Sequence, residues 1–189
     1  MNRSQFLRDT FHWIGASLTA IFLRRSDLQA AQAEVPCEQQ LKQQAHEREF
    51  ISNWLNDLWD AIDTQVDEKT KVKLIEGCGR GCFLRHQFKR DIAAQGQGSI
   101  DRLIEAYKKN FEIWREGDLV HIRYGAVTKA CYCPVAKYRP IKPNDLHCEC
   151  TRMTHQSIFE TALSRPFKVD VVESLRRGGK NCHFVVHLT

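Results

Sequence analysis

Six of the eight cysteines fall in three close pairs, Cys78-x-x-x-Cys82, Cys131-x-Cys133 and Cys148-x-Cys150. On a helix, a four-residue interval places two sulfurs on one face a turn apart. On an extended segment, a two-residue interval points both side chains to one side. Pairs so arranged can close on a shared target. Zinc takes four thiolate or imidazole ligands, and iron–sulfur clusters take four thiolates. The expected metal ligands are therefore Cys78, Cys82, Cys131, Cys133, Cys148 and Cys150, with His86, His147 or Glu149 as an additional ligand or base. Zinc is the expected cofactor and an iron–sulfur cluster the alternative. The spacing is not that of the Cys-x-x-Cys knuckles of zinc fingers, so the donor chemistry, not a named motif, carries the expectation.

Two other fates for these thiols stay open. In an oxidising compartment they would pair as disulfides. A Cys-x-Cys ring strains disulfide geometry, so such bonds would run between pairs, for example from Cys78 or Cys82 to the 131–150 loop. Independent reactive thiols are the third fate. Gly77, Gly79 and Gly81 interleave with the first pair, and each weakens a helix interior by about 1 kcal/mol. Close approach of another backbone or a ligand would justify them. So would simple helix termination, or a broken helix whose amides face an anion beside Arg80, Arg85 and His86. Cys182 alternates with Phe184, Val186 and Leu188 on one strand face and reads as a small core residue. Cys37 reads as a free thiol. His155, His183 and His187 read as polar-face residues and His121 as a strand residue, none with a role in a site.

The elements that must position these residues change character near Asn110. Before it the apolar period is helical. Phe50, Ile51, Trp54, Leu55, Leu58, Trp59 and Ile62 draw one stripe that reads as a core-packing face. Asp67 can cap a second helix running to about Ile92, and Ser99 a third carrying Leu103, Ile104 and Tyr107. After Asn110 the period becomes two. Phe111 and Ile113 pair with Leu119, Val120, Ile122 and Tyr124 around a Glu116-Gly117-Asp118 turn. Residues 167–171 and 182–188 pair around Arg177-Gly178-Gly179-Lys180. Between the hairpins lie a loop-rich excursion over residues 125–150 and a helix from about Thr154 to Leu163, ending before Pro166. The expected fold is α+β, with N-terminal helices packed on a small antiparallel sheet built from two β-hairpins.

Residues 1–33 stand apart. Arg3 and Arg8 flank a polar start, and an apolar stretch from Phe11 to Leu23 follows. A bilayer core needs about 20 apolar residues and a signal-peptide core about 7–15, so the stretch fits an export signal, with cleavage after Ala31-Gln32-Ala33. The opening Arg3-Ser4-Gln5-Phe6-Leu7-Arg8 resembles the twin-arginine signal Arg-Arg-x-Phe-Leu-Lys, with Ser4 in the place of the second arginine. Arg24 and Arg25 after the apolar stretch suit a membrane anchor, and an amphipathic first helix is the third reading. The domains expected are thus 1–33, export signal or anchor, and 34–189, a single α+β domain. The protein would be periplasmic or extracellular, or membrane-anchored, touching the membrane only through that segment. A chain of 189 residues is long enough to bury a core without cysteine staples. Its net charge of +5 is spread along the chain, with no basic stripe, so nucleic acid is not an expected partner.

The tail Val172-Glu173-Ser174-Leu175-Arg176-Arg177-Gly178-Gly179-Lys180-Asn181-Cys182-His183-Phe184 resembles the closing hairpin of four-vinyl-reductase and aminothiazoline-carboxylate hydrolase-like domains. Cys131-Tyr132-Cys133-Pro134, Cys148-Glu149-Cys150 and the helix with Phe159-Glu160 resemble an uncharacterised cysteine-rich bacterial branch of that superfamily. The resemblance covers roughly residues 78–188. It implies an α+β fold that binds small molecules, in some members with cysteine-ligated zinc. The six cysteines depart from the hydrolase pattern, and its catalytic residues have no matched positions here. Three functions are therefore expected: a sensor-like small-molecule- or metal-binding domain with a cysteine-rich zinc site; a hydrolase of a carbon–nitrogen bond in a small cyclic substrate, with His86, His147 or Glu149 as base; or a disulfide-stabilised envelope protein without catalysis.

Overall fold

The computed structural model describes residues 37–124, 131–136 and 139–189. Residues 1–33, expected to be an export signal or anchor, lie outside them. Helix α1 runs Cys37–Gln65, and the chain divides into two compact units within it, after Glu49. The described part of the first unit is the exposed start of α1, where Glu38 pairs with Lys42 at 2.8 Å.

The second unit contains the rest of α1, then α2 (Glu68–Arg85), α3 (Gln87–Gln95), α4 (Ile100–Lys108), β1 (Glu112–Glu116) and β2 (Leu119–Arg123). These are followed by α5 (Cys148–Leu163), β3 (Lys168–Glu173), a 3-10 turn (Leu175–Arg177) and β4 (His183–His187). The fold is α+β, as its sequence pattern predicts, with helices first. The described strands form one antiparallel sheet in the order β1-β2-β4-β3. Both hairpins form. Gly117 supplies the positive φ of 58° that the first turn requires, and a 3-10 turn lengthens the second connection.

Both expected caps are present. The Asp67 carboxylate accepts from the Thr70 N–H at 3.0 Å, and Ser99 Oγ accepts from the Arg102 N–H at 3.4 Å. The helix expected to run from Asp67 to Ile92 is instead two, because the backbone at His86 is extended (φ −95°, ψ 110°). The elbow lets α2 lie along α5 while α3 turns Ile92 and Ala93 into the core. Packing overrides the continuous helical propensity of the segment.

One sheet face, with Ile113, Val120, Ile122, Val169, Phe184 and Val186, forms the core together with Leu103, Tyr107, Ile158 and Phe159 from α4 and α5. The other face carries cross-strand rows. Trp114, His121, Val185 and Asp170 form one row, and Glu112, Arg123 and His183 another. Trp114 stacks on His121 with ring centroids 4.8 Å apart.

The apolar stripe of α1 is not the core face expected of it. No α1 residue is buried, and Phe50 and Trp54 are 67% and 57% exposed. The core is closed by α2–α5 and the sheet without them. Within the second unit, the last turns of α1 engage side chains of the loop ahead of α5. Trp59 meets His147 edge-on with centroids 5.3 Å apart, and the Arg139 guanidinium lies 4.8 Å from the Trp59 ring centroid. No helix among the described residues is long and apolar enough to cross a membrane.

Candidate functional site

Helix α5 decides how the cysteines are presented. It begins at Cys148, six residues before the expected start. The Asp145 carboxylate accepts from the His147 N–H at 2.8 Å, and the carbonyls of Leu146 and His147 accept from the amides of Glu149 and Cys150 at 2.9 and 3.0 Å. Cys148 and Cys150 are therefore in a helical turn and not on an extended segment. At about 100° per residue, side chains two apart diverge by roughly 200°. The expectation that this pair projects to one side is corrected accordingly.

Cys148 is buried, with its Sγ 2.8 Å from Ser174 Oγ. Burial pushes its thiol up to about 12, with Cys182 and Cys131 close enough to add to the rise. Cys150 faces the other way. Burial pushes its thiol up to about 12 as well, reinforced by Cys133, Cys82 and Cys78 and opposed by Lys89. Cys150 is thus coupled to Cys133, Cys82 and Cys78, and Cys148 to Cys182 and Cys131, while Cys131 is also coupled to its motif partner Cys133. All eight cysteines are free thiols.

Gly79 explains how α2 reaches α5. A Cβ there would lie 2.3 Å from the Cys150 carbonyl oxygen and 2.8 Å from Met153 Cβ, so only glycine permits the approach. Thr154 Oγ1 bridges the contact, lying 3.0 Å from both the Gly79 and Cys150 carbonyl oxygens. Close backbone approach is the reason for this glycine. The helix is neither broken nor terminated there, and Gly77 meets nothing within 4 Å.

The auxiliary residues fall differently from one another. His147 Nε2 lies 3.2 Å from Cys133 Sγ, while its buried Nδ1 has no hydrogen-bond partner. Burial lowers its pKa to about 4, so the ring is neutral at pH 7. His86 is exposed at the α2–α3 elbow, with its ring against Phe88. Glu149 is held by Arg152 and by Arg177 at 2.9 Å, an arrangement suited to fixing the start of α5. Among the described residues, no three His, Cys, Asp or Glu side chains stand ready-made around a common metal position.

Three further residues shape the site without having been assigned to it in the sequence. Lys89 Nζ donates to Cys82 Sγ at 2.8 Å. Its signal was present, since positions 78, 82 and 89 recur at helical intervals of four and seven. Arg176, 2% exposed, anchors the loop that carries Cys133. It donates to the carbonyls of Ala136, Arg139 and Pro140 and to the Asp145 carboxylate. In sequence it is one of two arginines beside a Gly-Gly turn.

His155 is the third. It is 1% exposed, a core residue and not the polar-face residue expected. Its Nδ1 lies 3.2 Å from the Tyr107 hydroxyl and its Nε2 3.1 Å from the Tyr124 hydroxyl. Burial lowers its pKa to about 3, with Lys89 adding to the shift. A neutral imidazole has one donor and one acceptor nitrogen, which matches two hydroxyls. Tyr124 lies close enough to Cys182, Cys82, Cys131 and Cys133 for their charges to raise its hydroxyl further, beyond what burial does.

No protein-family model matches the chain, and no curated protein matches it. Its chemistry is therefore read from the side chains themselves. A surface cleft of about 820 Å³, lined by Asp63, Lys71, Lys142, Glu149 and Arg177 among others, has no thiol in its wall. Its charges face one another: Lys142 bonds Asp63 at 2.8 Å and Arg177 bonds Glu149.

Proposed function

We propose that the domain is a sensor-like metal-binding module in which Cys78, Cys82, Cys133 and Cys150 bind zinc. The observation that carries this reading is that Cys78 and Cys82 from α2 and Cys133 from the loop ahead of α5 are near enough to Cys150, in the first turn of α5, to raise its thiol, with Lys89 at Cys82. Soft thiolates select zinc over the hard cations that take oxygen ligands. Four thiolates on one zinc ion leave a net charge of −2, and the Lys89 ammonium at Cys82 opposes that charge. The neutral His147 beside Cys133 is suited to orient the loop thiol or to take its place. The four sulfurs must draw inward to reach tetrahedral distances near 2.3 Å, so binding would order the loop against the two helices. A four-thiolate sphere has no position for water, so the metal in this reading organises structure and reports its own presence.

The test is titration of the reduced, metal-free full chain with cobalt(II), followed by displacement with zinc. One equivalent should bind with thiolate charge-transfer absorption and tetrahedral ligand-field bands, releasing protons as the thiols ionise. Cys150→Ser should weaken binding by at least tenfold, whereas Cys148→Ser, on the opposite side of α5, should leave it within a factor of a few. Absence of stoichiometric binding, or equal sensitivity of the two variants, would overturn the reading.

A further inference from the structure

The contact between Lys89 and Cys82 has a chemistry of its own. Cys82 lies in the last turn of α2, and Lys89 is the third residue of α3. The elbow at His86 folds one over the other. The His86 amide donates to the Cys82 carbonyl at 3.3 Å and the Lys89 amide to the His86 carbonyl at 3.1 Å, so both residues are tied to the same hinge. Their side chains meet at 2.8 Å, shorter than the ~2.9–3.0 Å usual for N–H···O although sulfur is larger than oxygen. Among the described residues no carboxylate pairs with Lys89. Its neighbours are the sulfur and the Phe88 ring, 5.6 Å from its Nζ. Both residues are partly exposed, so a small oxidant can reach them.

We propose that Cys82 and Lys89 form an oxidative nitrogen–sulfur crosslink, a reversible covalent modification closing the α2–α3 elbow. A peroxide oxidises the Cys82 thiol by two electrons to the sulfenic acid, and hydrogen peroxide is itself reduced to one water. Lys89 Nζ releases a proton to solvent and attacks sulfur. The N–S bond forms, the S–O bond breaks, and hydroxide leaves with a proton from nitrogen as a second water. Sulfenic acids condense in this way with thiols and with backbone nitrogen. Here the nucleophile already in contact with the sulfur is an amine, which gives it the advantage over Cys78, Cys133 and Cys150. A dithiol reverses the step, restoring thiol and amine as the reductant becomes its disulfide. The crosslink requires no bound metal, so its failure would leave the zinc reading untouched.

The experiment treats the reduced, metal-free full chain with a small excess of hydrogen peroxide and maps it by proteolysis and tandem mass spectrometry, before and after dithiothreitol. The expected product is a linked pair of peptides containing Cys82 and Lys89, lighter than their sum by two hydrogens and released by dithiothreitol. It should persist in Cys133→Ser and Cys150→Ser and disappear in Lys89→Arg, which keeps the charge. A disulfide from Cys82 to another cysteine as the main product in the unaltered chain would overturn the proposal. So would a sulfinic acid at Cys82 with Lys89 unmodified.

Discussion

Acidification from pH 7.5 to 5.0 should remove about 4 kcal/mol of stability, chiefly through two buried histidines. Unfolded histidine titrates near 6.5. In the folded chain His155 is lowered to about 3 and His147 to about 4, in both cases mainly by burial. Between the native and unfolded values the unfolded chain binds more protons, so stability rises with pH. It is complete above about 6.5 and is lost as pH falls toward the native values. At pH 5 each group lies about 1.5 units below its unfolded value, and at 1.36 kcal/mol per unit each contributes a loss of about 2 kcal/mol, about 4 kcal/mol together. Domains are typically stable by about 5–15 kcal/mol. The window stops at pH 5 because unfolded carboxylates, titrating near 4, remain mostly ionised there. The groups facing His155 are the Tyr107 and Tyr124 hydroxyls and, at longer range, Lys89, which opposes protonation as burial does. Urea denaturation followed by circular dichroism at both pH values gives the stability difference directly. His155→Gln keeps a donor and an acceptor for the two tyrosines but does not titrate. It should shrink the pH-dependent loss by about half while lowering stability at pH 7.5. An unchanged loss in the variant, or a wild-type stability flat across the window, would refute the assignment of a neutral, buried His155.

Two further substitutions test the supports of the site. Gly79→Ala should destabilise by about 1–3 kcal/mol through forced movement of α2 from α5, whereas Gly77→Ala, in open space on the same helix, should be neutral or stabilise by up to about 1 kcal/mol. Urea midpoints of the two variants measure the contrast. Arg176→Met should cost about 3–5 kcal/mol, because it leaves Asp145 and three backbone carbonyls buried without their donor, and limited proteolysis should then cut within residues 131–147.

Local rules carried much of the fold. Asp67, Ser99 and Gly117 mark a cap, a cap and a turn by side-chain chemistry alone, and period-two runs located the strands. The errors arose where tertiary packing decides. The glycines at 77, 79 and 81 leave a broken helix open as a reading, but nothing between Asp67 and Ile92 places the break at His86, because the break serves α5, some sixty residues later in the chain. The α1 stripe has a helical period whether or not another element covers it, and among the described residues none buries Phe50 or Trp54. His155 looked like a polar-face residue because imidazole is polar; only the arrival of Tyr107 and Tyr124 from two other elements makes a buried site for it.

The cysteine pairs show the same limit at the level of the site. The direction in which Cys-x-Cys points depends on whether its backbone is extended or helical, and at 148–150 that choice is made by Asp145. Its Oδ1 accepts from the His147 N–H and starts the helix, while its Oδ2 accepts from buried Arg176. Arg176 in turn holds the carbonyls of Ala136, Arg139 and Pro140, fixing the loop just after Cys133. A single guanidinium–carboxylate pair therefore sets two of the four thiols in the proposed site, Cys150 by way of the helix start and Cys133 by way of the loop. Neither Asp145 nor Arg176 contributes a ligand. This is why the thiols were legible as a group in the sequence, while the choice of four of the six rests on Asp145 and Arg176, which lie outside all three cysteine motifs.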